Sequence, residues 1–188
     1  MDSSIIITFA IPLFFGLILI EFFYGVITKQ NNYRINDAIT SMSLGLISRF
    51  VPILGLGFQY VVYKAVAEHY NLKLLSGEEI WVWVTAFILY DICYYWMHRI
   101  HHEIKVFWAT HVVHHHGEEF NLATALRQTS TGFLWKWVFF LPLFIIGIPP
   151  QMYVTVAGLN LVYQFWVHTE HIGSCLLYTS DAADDDHC

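Results

Sequence analysis

The sequence predicts an all-α integral membrane protein with about four to five membrane-embedded helices and a cytosolic histidine-rich metal site. Three observations lead to this prediction. Hydrophobic residues make up 56% of the chain and charged residues 13%, whereas a soluble domain usually has about 25% charged residues. Several apolar segments approach the length that crosses a bilayer. Seven of the eleven histidines lie between positions 98 and 116, directly after one of these segments.

The first apolar segment, residues 5–27, is long enough to cross a membrane, and its features argue against a cleaved signal peptide. The residues before it carry no positive charge. The apolar run exceeds the roughly 15 residues of a signal-peptide core, and no small-residue cleavage site follows. Glu21 lies near its end and is expected to face protein or lipid head groups.

Four more segments complete the predicted set. Residues 44–67 contain Arg49 and Pro52, so this segment is expected to kink or to enter the membrane at a tilt. Residues 81–97 form the segment that leads into the histidines. Residues 133–147 and 152–167 are short and are joined by Pro149-Pro150, which indicates a tight hairpin. That hairpin is either two full spans or a re-entrant pair.

The distribution of positive charge predicts the sidedness of the chain. Basic residues concentrate in two connections that share one face if each segment crosses, namely Lys29 and Arg34 in the first and Arg99, Lys105, Arg127 and Lys136 in the second. The positive-inside rule then places the histidines in the cytoplasm. The same alternation returns the chain to that face at His168.

Composition excludes several classes of function. The formal net charge is −6 and no basic face is apparent, so the sequence predicts no nucleic-acid partner. The three cysteines, Cys93, Cys175 and Cys188, are too scattered for a disulfide framework or a zinc ribbon.

The histidine spacing points to a metal site. His98 and His102 are four residues apart, so they share one face of a helix, and His111, His114 and His115 repeat this spacing. Two such groups that face each other surround one or two metal ions. The predicted metal ligands are His98, His102, His111, His114, His115, His168 and Glu103.

Neighbouring residues are less suited to ligation or have other roles. His101 and His116 each adjoin a better-placed histidine and are expected not to be ligands, whereas His168 is balanced between ligation and a purely interfacial position. Asp91 lies seven residues before His98 on the same helical face, and it is expected to accept a hydrogen bond from a ligating imidazole or to pair with Arg99 or a tyrosine hydroxyl.

The number of histidines favours a two-metal centre. Imidazole suits iron, zinc, copper and nickel. Structural zinc usually takes four ligands and often cysteine, whereas here the histidines exceed four and no cysteine is near.

Two motifs carry a family resemblance. His98-Arg-Ile-His-His102 matches the H-x3-H box of the fatty acid hydroxylase and sterol desaturase superfamily, and His111-Val-Val-His114-His115 matches its H-x2-H-H box. The surrounding sequence resembles the alkylglycerol monooxygenase branch in residues 33–37, 91–99, 107–111, 121–128 and 163–170. The resemblance covers residues 5–173, which we interpret as one membrane-embedded domain.

The resemblance implies a non-haem di-iron oxygenase that hydroxylates a lipid C–H bond with dioxygen. The favoured substrate is an ether lipid of the alkylglycerol type, with the five histidines of the two boxes as the catalytic residues. The cofactor is iron, and the reductant is left open, tetrahydrobiopterin being the donor of animal members. The electron-donating partner and the oligomeric state are also open.

Two alternatives remain at the sequence level. One is a hydroxylase or desaturase of the same superfamily that acts on sterols, fatty acyl chains or carotenoids. The other is a histidine-rich membrane protein that binds or transports metal. Transporters usually place their ligands within the spans near the midplane, whereas these histidines follow the end of a span.

The C-terminal residues depart from the superfamily pattern. A third box, H-x2-H-H, is expected further along, but the family-like sequence stops at Gly173. Residues 174–188 resemble translated sequencing-adapter read-through, with a short acidic cytoplasmic tail as the alternative. We therefore expect the chain to be a truncated, inactive fragment of a longer parent protein.

Overall fold

The computed structural model describes residues 3–51, 58–75, 77, 79–165 and 167–169. These residues form seven α-helices and two short 3-10 helices, and no strand occurs among them. The helices are α1 (Ser3–Thr28), α2 (Ile35–Val51), α3 (Gln59–His69), α4 (Ile80–Glu103), α5 (Lys105–His115), α6 (Lys136–Ile146) and α7 (Pro150–Phe165). The predicted all-α class is thus confirmed for the described part of the chain.

Helices α1 and α4 have the length and composition needed to cross a membrane. The apolar part of α1, Ala10–Thr28, has 19 residues with a mean hydropathy of 2.2, and α4 has 24 residues with a mean hydropathy of 1.3. Only 28% and 22% of these windows are buried inside the protein. Most of their apolar surface, including Ile20 and Ile88, therefore faces outward, as expected of helices in contact with lipid.

The predicted segment 44–67 corresponds to two helices and not to one. Helix α2 ends at Val51, and α3 begins at Gln59. Residues 52–57, which contain Pro52, lie outside the described residues. Helix α2 also begins at Ile35, well before residue 44, because its first turns contain polar residues, which hydropathy does not identify as helical.

The larger apolar core forms around α4, which packs against α5, α6 and α7. Val82, Ala86 and Tyr90 project from one face of α4 at helical spacing and are buried against α6 and α7. Tyr90 stacks on Phe140 of α6, with ring centroids 4.9 Å apart. This packing holds the end of α4 that carries the histidines.

The predicted hairpin between the last two helices is present. Gly147 ends α6 with φ of +129°, a conformation that favours glycine, and its N–H donates to Leu143 O over 3.2 Å. A Cβ at this position would also lie 3.1 Å from Leu75 N. Pro150 then begins α7, as is common for proline in a first turn.

A second, smaller apolar cluster joins α1 to α7. Phe14 stacks on Phe165, with ring centroids 4.1 Å apart, and both contact the segment around Ala123. Because Phe165 ends α7, this contact brings His168 and Thr169 close to α5 and α1, where they contact His114 and Glu21.

Candidate metal centre

The turn between α4 and α5 brings two histidine pairs face to face. Ile104 leaves the helical conformation, with φ of −107° and ψ of 118°. Its N–H donates to Ile100 O over 3.0 Å and closes α4, while its carbonyl accepts from Trp108 N–H over 2.9 Å and opens α5. The chain thus changes direction at a single residue, and the histidine-bearing faces of the two helices meet.

Four histidines converge at this meeting point. Nε2 of His98 lies 3.1 Å from Nε2 of His102, and Nε2 of His111 lies 3.1 Å from Nε2 of His115. One ligand atom of each residue lies within 4.8 Å of every other. Each pair comes from one helical face, so the grouping follows directly from the i, i+4 spacing.

The spacing of these nitrogens fits a borderline metal ion. Two imidazole nitrogens bound about 2.1 Å from one ion, with bonds near a right angle, lie about 3.0 Å apart. The observed separations within the pairs are close to this value. The donor set therefore suits iron, and also zinc or copper.

The environment of His111 keeps its imidazole neutral. Burial is the main cause that lowers the pKa of His111 far below its usual range, and the nearby His98 and Lys136 lower this pKa further. A neutral ring retains a lone pair on one nitrogen, and this lone pair is what a metal ion requires.

A second pair of histidines adjoins the first group. Nε2 of His114 lies 3.2 Å from Nε2 of His168. Nδ1 of His114 donates to Arg127 O over 2.7 Å, and Nδ1 of His168 donates to Gln164 O over 2.9 Å. Because a carbonyl only accepts, the neutral form of each ring presents a lone pair on Nε2. The pair is therefore arranged to share a cation or a proton.

The remaining predicted residues lie elsewhere. Glu103 is exposed and forms an ion pair with Arg99 at 2.8 Å, so the structure does not bring its carboxylate into the four-histidine group. His101 is buried, donates from Nδ1 to Met97 O over 2.7 Å, and packs on Phe107. His116 is exposed at the end of α5.

Asp91 has a different partner from those considered in the sequence. Its Oδ1 accepts from Asn160 Nδ2 over 3.1 Å, and Asn160 Oδ1 accepts from Gln164 Nε2 over 2.8 Å. Since Gln164 O accepts from His168, these hydrogen bonds connect Asp91 to His168, which follows α7, and not to a histidine on its own helix.

Arg127 makes buried contacts that the sequence did not predict. Its buried guanidinium donates from Nε to Val113 O over 2.8 Å and from Nη1 to Asp37 Oδ1 over 2.9 Å and Ser41 Oγ over 3.2 Å. Both Arg127 and Asp37 occur in segments that resemble the family, but their pairing required the fold.

Glu21 is buried and faces protein, as one of the two sequence alternatives expected. Its carboxylate accepts hydrogen bonds from the hydroxyls of Tyr33 and Thr169 and, over 2.8 Å, from Leu122 N–H. Thr169 follows His168 directly, so Glu21 fastens the segment that carries this ligand to α1.

Comparison with known proteins identifies the family of the chain. The family model for the fatty acid hydroxylase domain matches residues 83–187, which include the histidines of both α4 and α5. The chain belongs to the fatty acid hydroxylase family. The resemblance of its two histidine boxes to this family is therefore confirmed. No solved structure matches the chain.

Alkylglycerol monooxygenases are among the relatives of the chain. The chain is 40% identical to the alkylglycerol monooxygenase of Danio rerio over 162 residues, 86% of this chain and 36% of that protein. It is 39% identical to that of Homo sapiens over 166 residues, 88% of this chain and 37% of the relative. The chain therefore spans little more than a third of the length of these relatives.

The interpretation of the C-terminal residues remains a prediction. The family match runs through residue 187, and residues 170–188 lie outside the described residues. The expected non-native tail at 174–188 and the missing third histidine box are therefore neither supported nor contradicted.

Proposed function

We propose that the protein is a membrane di-iron oxygenase that hydroxylates a lipid C–H bond, with an alkyl ether of glycerol as substrate. The observation that carries this proposal is the side-by-side placement of the four-histidine group and the His114–His168 pair. The membership in the fatty acid hydroxylase family and the alkylglycerol monooxygenase relatives support it.

The two histidine groups would hold one iron ion each. His98, His102, His111 and His115 would bind the first ion, and His114 and His168 would contribute to the second. When bound, the iron pair supplies the activation of dioxygen that C–H oxidation requires. Glu103, which pairs with Arg99, is not assigned to either ion.

The protein residues would orient the ligands and keep the site ready for metal. Carbonyls of Arg127 and Gln164 accept the Nδ1 protons of the second pair and thereby direct Nε2 inward. Burial keeps His111 neutral, so at physiological pH a metal ion would not have to displace a proton from its imidazole. Apolar side chains around Phe14 and Phe165 exclude water from one side.

We place the histidine groups at the cytoplasmic surface of a membrane. Helices α1 and α4 would cross the bilayer, and the α6–α7 hairpin would lie within it. Together with the apolar segment at residues 44–67, this arrangement would give about four to five membrane-embedded helices. The basic residues that flank the histidine segment support the cytoplasmic side.

The experiment that tests the function uses protein expressed from the full gene and reconstituted in lipid. After anaerobic loading with iron(II), we expect about two irons per chain. With a 1-O-alkylglycerol, dioxygen and a reductant, first of all tetrahydrobiopterin, we expect oxygen uptake and release of a fatty aldehyde and glycerol. Sterol and fatty acyl substrates are run in parallel.

A variant and its control make this test specific. His102→Ala should abolish oxygen uptake, whereas His69→Ala, at the exposed end of α3, should leave it unchanged. Tight zinc or copper binding without oxygen consumption, whichever lipid and reductant are supplied, would indicate a metal carrier and would overturn the oxygenase proposal.

A further inference from the structure

The indole of Trp108 lies against the four-histidine group. Its ring centroid is 5.2 Å from that of His102 and 5.7 Å from that of His115, and the ring of His111 is 6.3 Å away. Trp108 precedes His111 and His115 on α5 at helical spacing, so these side chains share one face. The backbone N–H of Trp108 donates to Ile104 O over 2.9 Å, which holds the residue at the turn that opens α5.

The chemistry of the indole makes Trp108 an oxidisable neighbour of the site. Cations bind the face of tryptophan better than that of tyrosine or phenylalanine, so the indole is the most electron-rich of these rings. Oxidation attacks electron-rich rings first. Tyr94 also contacts the group, with its ring centroid 5.9 Å from that of His98, but its phenol is less electron-rich than the indole.

The position of Trp108 matters most while no lipid is bound. In the proposed reaction a lipid C–H bond receives the oxygen atom, and an empty site lacks this acceptor. A side chain that the fold holds beside the site then competes as an intramolecular reactant, whereas a distant side chain does not. Trp108 is partly buried, so its nearness to the histidines and not its exposure to solvent distinguishes it.

We infer that Trp108 is a site of self-hydroxylation, at which an oxygen atom is inserted into a C–H bond of the indole when reductant and dioxygen react without lipid. The stoichiometry equals that of the lipid reaction. The indole, one dioxygen, two electrons from the reductant and two protons from water give a hydroxyindole and one water. This inference rests on the proposed function and goes beyond it, because it names a modification of the protein that diverts oxidation from the histidines.

Peptide mass spectrometry tests the modification. Protein expressed from the full gene is reconstituted in lipid vesicles without alkylglycerol, loaded with iron(II), and supplied with reductant and dioxygen labelled with a heavy oxygen isotope. We expect one labelled oxygen atom in the peptide that contains Trp108, and fragmentation of this peptide should place the label on the indole. Oxygen that came from water would carry no label.

Other tryptophans and the substrate provide controls within the same protein. Trp81 and Trp96 are 57% and 52% exposed, so a diffusible oxidant would modify them before Trp108. His102→Ala removes a metal donor and should leave Trp108 unlabelled. A 1-O-alkylglycerol at about ten times its dissociation constant leaves about a tenth of the sites empty, so labelling of Trp108 should fall about tenfold.

A conservative variant tests the protection of the histidines. Trp108→Phe keeps an aromatic ring but makes it less electron-rich, so the label should move to the histidines beside it. Trp81→Phe is the matched control, because Trp81 lies at the other end of α4 from the histidines. This control should retain the label on Trp108.

Fluorescence provides a readout that does not depend on catalysis. In iron-free protein, cobalt(II) bound by the four histidines should quench the indole that contacts them. Trp108→Phe should therefore remove more of the quenching than Trp81→Phe, although each variant removes one of the seven tryptophans.

Several outcomes would overturn the self-hydroxylation of Trp108. These are label on Trp81, Trp96 or Tyr94 in preference to Trp108, label that persists in His102→Ala, or equal loss of quenching in the two phenylalanine variants. The outcomes are separable from the proposed function. Alkylglycerol oxidation with Trp108 unlabelled supports the function and contradicts the modification, label on Trp108 without alkylglycerol oxidation does the reverse, and the absence of both contradicts both.

Discussion

Arg127 and Asp37 form a buried ion pair that connects α2 to the metal centre. Nη1 of Arg127 lies 2.9 Å from Asp37 Oδ1, and the two side chains are only 6% and 12% exposed. The backbone carbonyl of Arg127 in turn accepts from His114 Nδ1. The pair therefore positions the very residue whose carbonyl orients one of the proposed ligands, and Arg127 acts as a positioning residue.

Asp37→Asn is expected to destabilise the protein strongly. The variant leaves the guanidinium of Arg127 buried without its counterion, and breaking a buried pair costs about 3–5 kcal/mol. Thermal unfolding in detergent measures the change, and iron content reports whether His114 is still oriented. Glu118→Gln is the matched control, because Glu118 and Arg34 pair on the surface with side chains 67% and 63% exposed. Its cost should be about 0–1 kcal/mol, and equal losses in both variants would contradict the positioning role.

The two histidine groups should lose metal independently. His102→Ala removes a donor from the four-histidine group, and His168→Ala removes one from the second pair. We expect each variant to retain about one of two irons, because the substitution removes a donor from one ion and leaves the donors of the other ion in place. Metal analysis combined with Mössbauer spectroscopy of the anaerobic protein distinguishes the remaining sites. Identical spectra for the two variants would mean that the residues belong to one site.

Glu21→Leu should loosen the segment that carries His168. The variant removes both carboxylate oxygens, so the Leu122 N–H and the Thr169 hydroxyl both lose their acceptor. An unsatisfied buried donor costs about 1–3 kcal/mol. Hydrogen exchange of the Leu122 amide should accelerate. The exposed Glu68, paired with Lys64 at 3.8 Å, provides the control Glu68→Leu, for which Leu122 exchange should not change.

Tyr33 should make the stability of the protein sensitive to alkaline pH. Burial first, and then the hydrogen bond to Glu21, raise the pKa of Tyr33 well above its usual range. In the unfolded chain this hydroxyl ionises at about pH 10. Above that pH the unfolded state therefore binds fewer protons than the folded state, and the free energy of unfolding falls as the pH rises. Below about pH 10 the contribution is fully present.

Tyr33→Phe isolates this contribution. The free energy of unfolding of the variant should depend less steeply on pH between about 9.5 and 11.5 than that of the unchanged chain. Parallel curves for the two proteins over this range would show that the hydroxyl of Tyr33 ionises equally in the folded and unfolded states.

Local spacing allowed part of the site to be anticipated. The pairs His98–His102 and His111–His115 follow from the period of the α-helix, which is a property of neighbouring residues. Glu103 shows the limit of this reasoning. It stands beside His102 in the sequence, but its side chain lies on the face of Arg99, four residues earlier, and pairs with that residue.

Contacts between distant residues could not be anticipated in the same way. His114 and His168 are 54 residues apart, and their contact depends on how α7 packs against α1 through Phe14 and Phe165. The separation of residues 44–67 into parts of α2 and α3 likewise did not follow from hydropathy.

Composition and short-range spacing were enough to predict the helical class, the apolar character of α1 and α4, and the two histidine pairs, because helix formation and hydropathy depend on neighbouring residues. Packing between helices was needed for the contact of His168 with His114, the burial of Arg127 with Asp37, and the hydrogen bond between Glu21 and Thr169. These contacts join residues from different helices, so they exist only when packing brings those helices together and removes the charged and polar groups from solvent.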